Sequence, residues 1–115
     1  MINSILESIK KVIGFEKDYD VFDDDILMHI NSTFSVLNQL GIGPKAGFVV
    51  TGYDEEWVDF LDGEKPTLNM VKSYIFLKTK LQFDRPDTSY AIQAMEKQAT
   101  EYEWRLMVAK EDLDE

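Results

Sequence analysis

Residues 18–30 read DYDVFDDDILMHI and place five aspartates, Asp18, Asp20, Asp23, Asp24 and Asp25, within eight positions. Such a cluster can hold a cation, supply an acid for catalysis, or begin a helix. A calcium loop needs oxygen-bearing side chains at alternating positions, glycine at the sixth and glutamate at the twelfth. Counted from Asp18, the fifth position is Phe22, the sixth is Asp23 and the twelfth is His29, so the pattern fails at all three. The helix reading fits better. Asp23 to Asp25 stand directly before Ile26, Ile30, Phe34, Leu37 and Leu40, an apolar stripe at helical spacing. Carboxylates at a helix start accept hydrogen bonds from free amides and favour the positive end of the dipole, each contributing ~0.3–1 kcal/mol. The aspartates are expected to cap a helix over about 23–40.

Working outward, the same periodicity marks four more helices. Ile2, Ile5, Leu6, Ile9, Val12 and Ile13 form a first stripe, with Gly14 placed to end it. GIGPKAGFVVTG at 41–52 carries glycines, a proline and β-branched residues that forbid a helix. It reads as an irregular arm over about 41–53, with an extended piece at Phe48 to Thr51. A short third helix, capped by Asp54, brings Trp57, Phe60 and Leu61 to one face. The fourth, about Thr67 to Phe83, is apolar most of the way round (Leu68, Met70, Val71, Tyr74, Ile75, Leu77, Leu81), as a central helix is. After DRPDTS, with Asp87 or Thr88 as cap, the last helix carries Ala91, Met95, Ala99, Tyr102 and Leu106 on its buried stripe. The fold class is all-α: a small bundle of four to five helices in one domain over 1–110, with an acidic, frayed tail at 111–115.

Composition bounds the function. A chain of 115 residues with 44% hydrophobic and 12% aromatic content makes one domain with a real core. The absence of cysteine excludes a disulfide scaffold, a thiolate metal site and a thiol nucleophile. No apolar run reaches the ~18 residues of a membrane span, and MINSILESIKKVIG has no basic leader, so a soluble cytosolic protein is expected. With 22 acidic against 12 basic residues the net charge is −10, which disfavours the counterion-releasing grip of a nucleic-acid binder. The basic-leaning stretch from Lys65 to Arg85, with Lys72, Lys78 and Lys80, reads as a balance for acids elsewhere on the fold.

Catalysis has no visible home. His29 is the only histidine, so it makes a poor transition-metal site, and no nucleophile stands in a recognisable motif near it. It reads as a partly exposed residue paired with Asp25. GIGPKAG lacks the Lys-Ser/Thr ending of a phosphate loop and does not open a helix. No metal, cofactor or catalytic residue is assigned. What remains is surface chemistry. Trp104 and Met107 lie off the last helix's main stripe, where either a wide core or a protein contact could claim them. Phe48, Val49, Val50 and Tyr53 on the arm raise the same question, since a loop on a small bundle cannot hide them all. An extended apolar arm can add a strand to a neighbour. These six residues are the candidate interface.

The strings ILMHINSTFSVLNQLGIGPKAGF, DEEWVDFL and VKSYIFLKTKLQFDRPDTSYAIQAMEKQATEYEWRL, in this order from about Ile5 to Val108, resemble the head–tail connector (adaptor) proteins of tailed bacteriophages and prophages. LNQLGIGP and FDRPDTS…AMEKQ…EYEWRL carry most of the resemblance. It implies a structural, non-enzymatic subunit of a homo-oligomeric ring of about twelve copies, closed by head-to-tail contacts. The ring would lie beneath the portal protein, extend the DNA channel and offer a docking platform to the next connector, stopper or tail component. The subunit would be made in the bacterial host cytoplasm and end in the virion at the head–tail junction. DNA would pass without specific binding, along a wall whose acidity repels phosphate. In the family the C-terminal segment can reach the portal; here the stretch after Trp104 is short and acidic. An alternative is an acidic phage-encoded inhibitor or DNA mimic that binds a host protein, although here the carboxylates cluster at helix starts and the tail. A metal-binding regulator or small enzyme built on His29 and the aspartates is a further rival, testable by calcium, magnesium and zinc titration.

Overall fold

Ser4 begins the first helix by accepting a hydrogen bond on Oγ from the Glu7 amide at 3.3 Å, and Gly14, at φ 113°, ends it by donating to Lys10 O. A computed structural model of the chain describes residues 4–61, 65–83 and 85–114. Its elements are α1 (Ile5–Ile13), α2 (Asp23–Gln39), α3 (Trp57–Phe60), α4 (Lys65–Phe83) and α5 (Ser89–Asp114). Among the described residues there is no β-strand, only an isolated bridge between Ser4 and Glu56. The protein is an all-α bundle.

The helices pack as their stripes require. Ile5, Leu6 and Ile9 of α1 are buried together with Ile26, Ile30, Phe34 and Leu37 of α2. Val12 turns outward, so the α1 stripe is narrower than the apolar spacing suggests, and Ile2 lies outside the described residues. Helix α4 lies at the centre, packed on α5, α2 and α1. It buries Val71, Tyr74, Ile75, Leu77 and Leu81 on more than one side, which is why it shows no single apolar face. Helix α5 starts where Thr88 Oγ1 accepts from the Ala91 amide at 3.2 Å. It buries Ala99 and Leu106, and Ala91, Met95 and Tyr102 are half-buried on the same stripe. Its backbone continues through Asp114, which carries residues 111–114 in the helix.

Two expected caps are corrected. The α2 N-cap is Phe22 and makes no side-chain cap bond, so Asp23 to Asp25 occupy the first turn and act on the dipole without capping. The reason is Asp23 itself, whose carboxylate is drawn away towards α1, as described below. Helix α3 is a single turn that starts after Glu56 and not after Asp54; Asp59 Oδ2 accepts from the Glu56 amide at 2.9 Å. The Asp54 neighbourhood is instead organised by Glu55, whose carboxylate accepts from Thr51 Oγ1 at 2.6 Å and Gly52 N at 3.3 Å. The Thr51 bond, foremost, holds the Glu55 carboxyl below its ordinary value.

The arm between α2 and α3 is laid onto the bundle by two devices. Phe48 joins Phe34 and Phe60 in an aromatic triad with centroids 4.7–5.3 Å apart. Gly43, at φ 87°, passes so close to Phe60 that a Cβ would sit 2.4 Å from the ring. Glycine is therefore demanded there twice, by conformation and by space.

Candidate assembly surfaces

Helix starts, the arm and the last helix were the places where the sequence concentrates chemistry, and the structure treats each differently. His29 Nδ1 lies 2.7 Å from Gln82 Oε1 on α4, and its ring stands edge-on to Phe83. The expected pairing with Asp25 does not form, because a tertiary partner reaches the imidazole across the α2–α4 interface. Among the described residues no three His, Cys, Asp or Glu side chains converge as a metal-binding group.

The site that sequence reasoning missed is centred on Lys10. It stands on the buried face of α1 and is 1% exposed. An ammonium has three N–H donors. They reach Lys17 O at 2.9 Å, Tyr19 O at 2.8 Å and Tyr53 Oη at 2.6 Å. Asp23 Oδ1 lies 2.7 Å from the same nitrogen but finds no proton left to accept, and it makes no hydrogen bond among the described residues. That contact is charge attraction. The Tyr53 hydroxyl accepts from Lys10 and faces Asp23 Oδ2 at 2.8 Å and Lys17 O at 3.0 Å; its single proton favours the charged acceptor. Burial opposes the Lys10 charge, but the contacts with the Asp23 carboxylate and the Tyr53 hydroxyl outweigh it and hold the ammonium above its ordinary value. Burial, aided by Asp23, raises the Tyr53 hydroxyl as well. One side chain thus ties α1, the 15–22 loop, the start of α2 and the end of the arm. The available signal was a lysine inside the Ile5–Leu6–Ile9–Ile13 stripe.

Around this node the loop is fastened by aromatics. Phe15 stacks on Tyr19 at 5.6 Å and meets Phe22 and Phe83 at 5.7 and 5.8 Å. On the other side of the bundle Tyr74, fully buried, donates to Glu103 Oε2 at 2.7 Å, and burial first, then Glu103, pushes its hydroxyl far up.

The six candidate interface residues divide. Val50 is buried in the core, Phe48 belongs to the aromatic triad, and Tyr53 is half-buried in the Lys10 node. Val49 is 63% exposed. On α5, Trp104 is 64% and Met107 42% exposed, next to the exposed Glu101–Arg105 pair at 2.7 Å. Isolated exposed apolar residues are ordinary. Trp104 and Met107 stand one turn apart on the exposed side of α5, and Val49 is a separate exposed apolar residue on the arm.

A family model described as phage connector protein matches residues 5–112. The chain belongs to the phage connector protein family. The match runs from the first residue of α1 almost to the end of α5, so the whole described bundle is the connector unit. No curated protein and no solved structure matches the chain. As a connector it is a structural protein that associates with other phage head and tail proteins. No helix among the described residues is long and apolar enough to cross a membrane.

Proposed function

We propose that this connector is a ring subunit at the head–tail junction. About twelve copies close head to tail beneath the portal protein, extend its DNA channel and present a platform for the next stopper or tail component. A head-to-tail ring needs two different complementary patches on each subunit. Exposed apolar residues on two separate elements, Val49 on the arm and Trp104 with Met107 on α5, are the observation that carries this reading. The net charge of −10 supports a conduit role, because an acidic wall repels phosphate and lets DNA slide. It also sets subunits against one another, so the free protein is monomeric or weakly associated in low salt. The ring closes on the portal or in higher salt, as the subunits are made in the host cytoplasm and incorporated into the virion.

Native mass spectrometry across protein concentration and salt, with and without portal protein, tests this. A discrete ring of about a dozen subunits on the portal is expected. A tight ring of the free protein at low ionic strength would contradict the charge argument. Absence of any portal complex in all conditions would overturn the function.

A further inference from the structure

Helix α5 carries a second stripe that the bundle does not use. Its inner side presents Met95, Ala99, Tyr102 and Leu106 to the rest of the fold. On the other side Tyr90, Ala94, Lys97, Glu101 and Trp104 follow one another in alternating steps of four and three, and all five are exposed. Tyr90 is 85% and Trp104 64% exposed. Such steps keep residues on one helix face and are the spacing of a helix–helix seam. Charge is balanced there. Between Ser89 and Met107 the exposed charged side chains are Glu96, Lys97, Glu101 and Arg105, two acids and two bases, on a chain of net charge −10. Lys97 has no ion-pair partner among the described residues. Arg105 donates from Nε at 3.2 Å and from Nη2 at 2.7 Å to Oε1 of Glu101, which leaves Oε2 without a partner among the described residues. Beside the stripe a recess of about 140 Å³ is lined by Gln98, Glu101, Tyr102 and Arg105. Those four stand at i, i+3, i+4 and i+7, the corners of the hole that receives a knob from a facing helix.

We propose that α5 pairs with α5 of a second copy, antiparallel and about a two-fold axis that passes near residue 99. Chemistry along the stripe sets the register. Centred on residue 99, the pairing opposes Lys97 to Glu101 and Trp104 to Ala94, and the two-fold axis makes each contact twice. Registers one heptad away set Glu101 against Trp104 or Tyr90 and leave Lys97 without a carboxylate. In the favoured register the ammonium of Lys97 lies between Glu101 Oε2 and the indole face of Trp104 of the second copy, an ion pair and a cation–π contact together. Ala94 is small enough for that indole to lie across it. The recess faces Lys97 of the second copy and takes its aliphatic stem. Charge complementarity thus favours this face within a chain that otherwise repels its copies. The pairing covers Trp104, and a two-fold pair cannot propagate around a ring. The dimer therefore holds the α5 patch out of use until a ring contact replaces it. That consequence rests on the reading of Trp104 as a ring contact; the pairing itself does not.

The absence of cysteine gives a clean test on the full chain without portal. Paired as above, Ala94 of one copy stands beside Trp104 and Arg105 of the other, but about 15 Å along the helix from the second Ala94. A mixture of Ala94→Cys and Arg105→Cys with a short bismaleimide is expected to give covalent heterodimer in excess over either homodimer. Trp57 is 4% exposed, so a blue shift of tryptophan emission with rising concentration reports the burial of Trp104. Trp104→Ala should weaken dimerisation about tenfold or more in sedimentation equilibrium, which is ~1.4 kcal/mol. Lys97→Glu should weaken it and Lys97→Glu with Glu101→Lys should restore it; both residues are exposed, which separates pairing from folding. Monomer at every concentration and salt, homodimer cross-links in excess of mixed ones, or dimers indifferent to these changes would each overturn the proposal. A dimer of this register whose Trp104→Ala variant still forms rings on a portal would confirm the pairing and refute instead the part of Trp104 in the ring.

Discussion

Replacing Lys10 by methionine keeps the length and apolar stem of the side chain and removes the charged ammonium with its three donors. The structure sets the magnitude. Lys17 O and Tyr19 O each lose a donor, and Asp23, with its side chain 16% exposed, loses its cation. Breaking one side of a buried pair costs about 3–5 kcal/mol. The residual exposure of Asp23 lets water return to part of it, which puts the expected cost at about 3 kcal/mol. In a chain of 115 residues that lowers the melting temperature by on the order of 10 °C. Thermal and urea unfolding of Lys10→Met, Asp23→Asn and the double variant form a cycle in which the two changes should couple by about 1–3 kcal/mol. Lys17→Met is the control: Lys17 is exposed and 3.5 Å from Glu7, so its loss should cost within about 0.5 kcal/mol. A Lys10→Met protein less than about 1 kcal/mol destabilised would show that the node is hydrated in solution and does not organise the loop and arm.

The same groups set the response to pH. Lys10, Tyr53 and Tyr74 all have folded values above their ordinary ones, so their stabilisation is complete below about pH 10 and is lost as pH rises through the raised values. Melting temperature should fall in the alkaline range above about pH 10, whereas the depressed Glu55 places a smaller loss below about pH 4.5. Gly43→Ala, which meets both the positive φ and the Phe60 ring, should cost about 2–4 kcal/mol in denaturant unfolding, against about 1 for Gly14→Ala, where the space is open. Asn31→Ala should cost about 2 kcal/mol and speed hydrogen exchange at the Val50 amide, since two bonds to a buried residue are lost. Trp104→Ala should leave unfolding within about 0.5 kcal/mol of the parent yet weaken binding to portal or neighbour, measured by native mass spectrometry.

The aspartate triplet shows how far local reading carries. That Asp23 to Asp25 begin a helix depends on the apolar stripe a few residues away, and the structure agrees. That Asp23 does not cap it depends on Lys10 and Tyr53, which lie 13 and 30 positions away in sequence. His29 repeats the lesson, since its partner Gln82 is 53 positions distant. The exposure of Trp104 and Met107, left open between core and surface, was settled by how α4 fills the inner face of α5.

By itself the sequence determined the helix count, the breaks at Gly14, at 41–52 and at DRPDTS, the central place of α4, and the connector resemblance, because periodicity and chain punctuation act over one or two turns. Tertiary structure decided which groups meet: the lysine node, the Asn31 amide that bonds both backbone groups of Val50, and the division of the arm into half-buried Phe48, buried Val50 and exposed Val49. Those contacts join residues up to 43 positions apart, and no local pattern specifies which of several carboxylates, amides or carbonyls packing brings within hydrogen-bond reach.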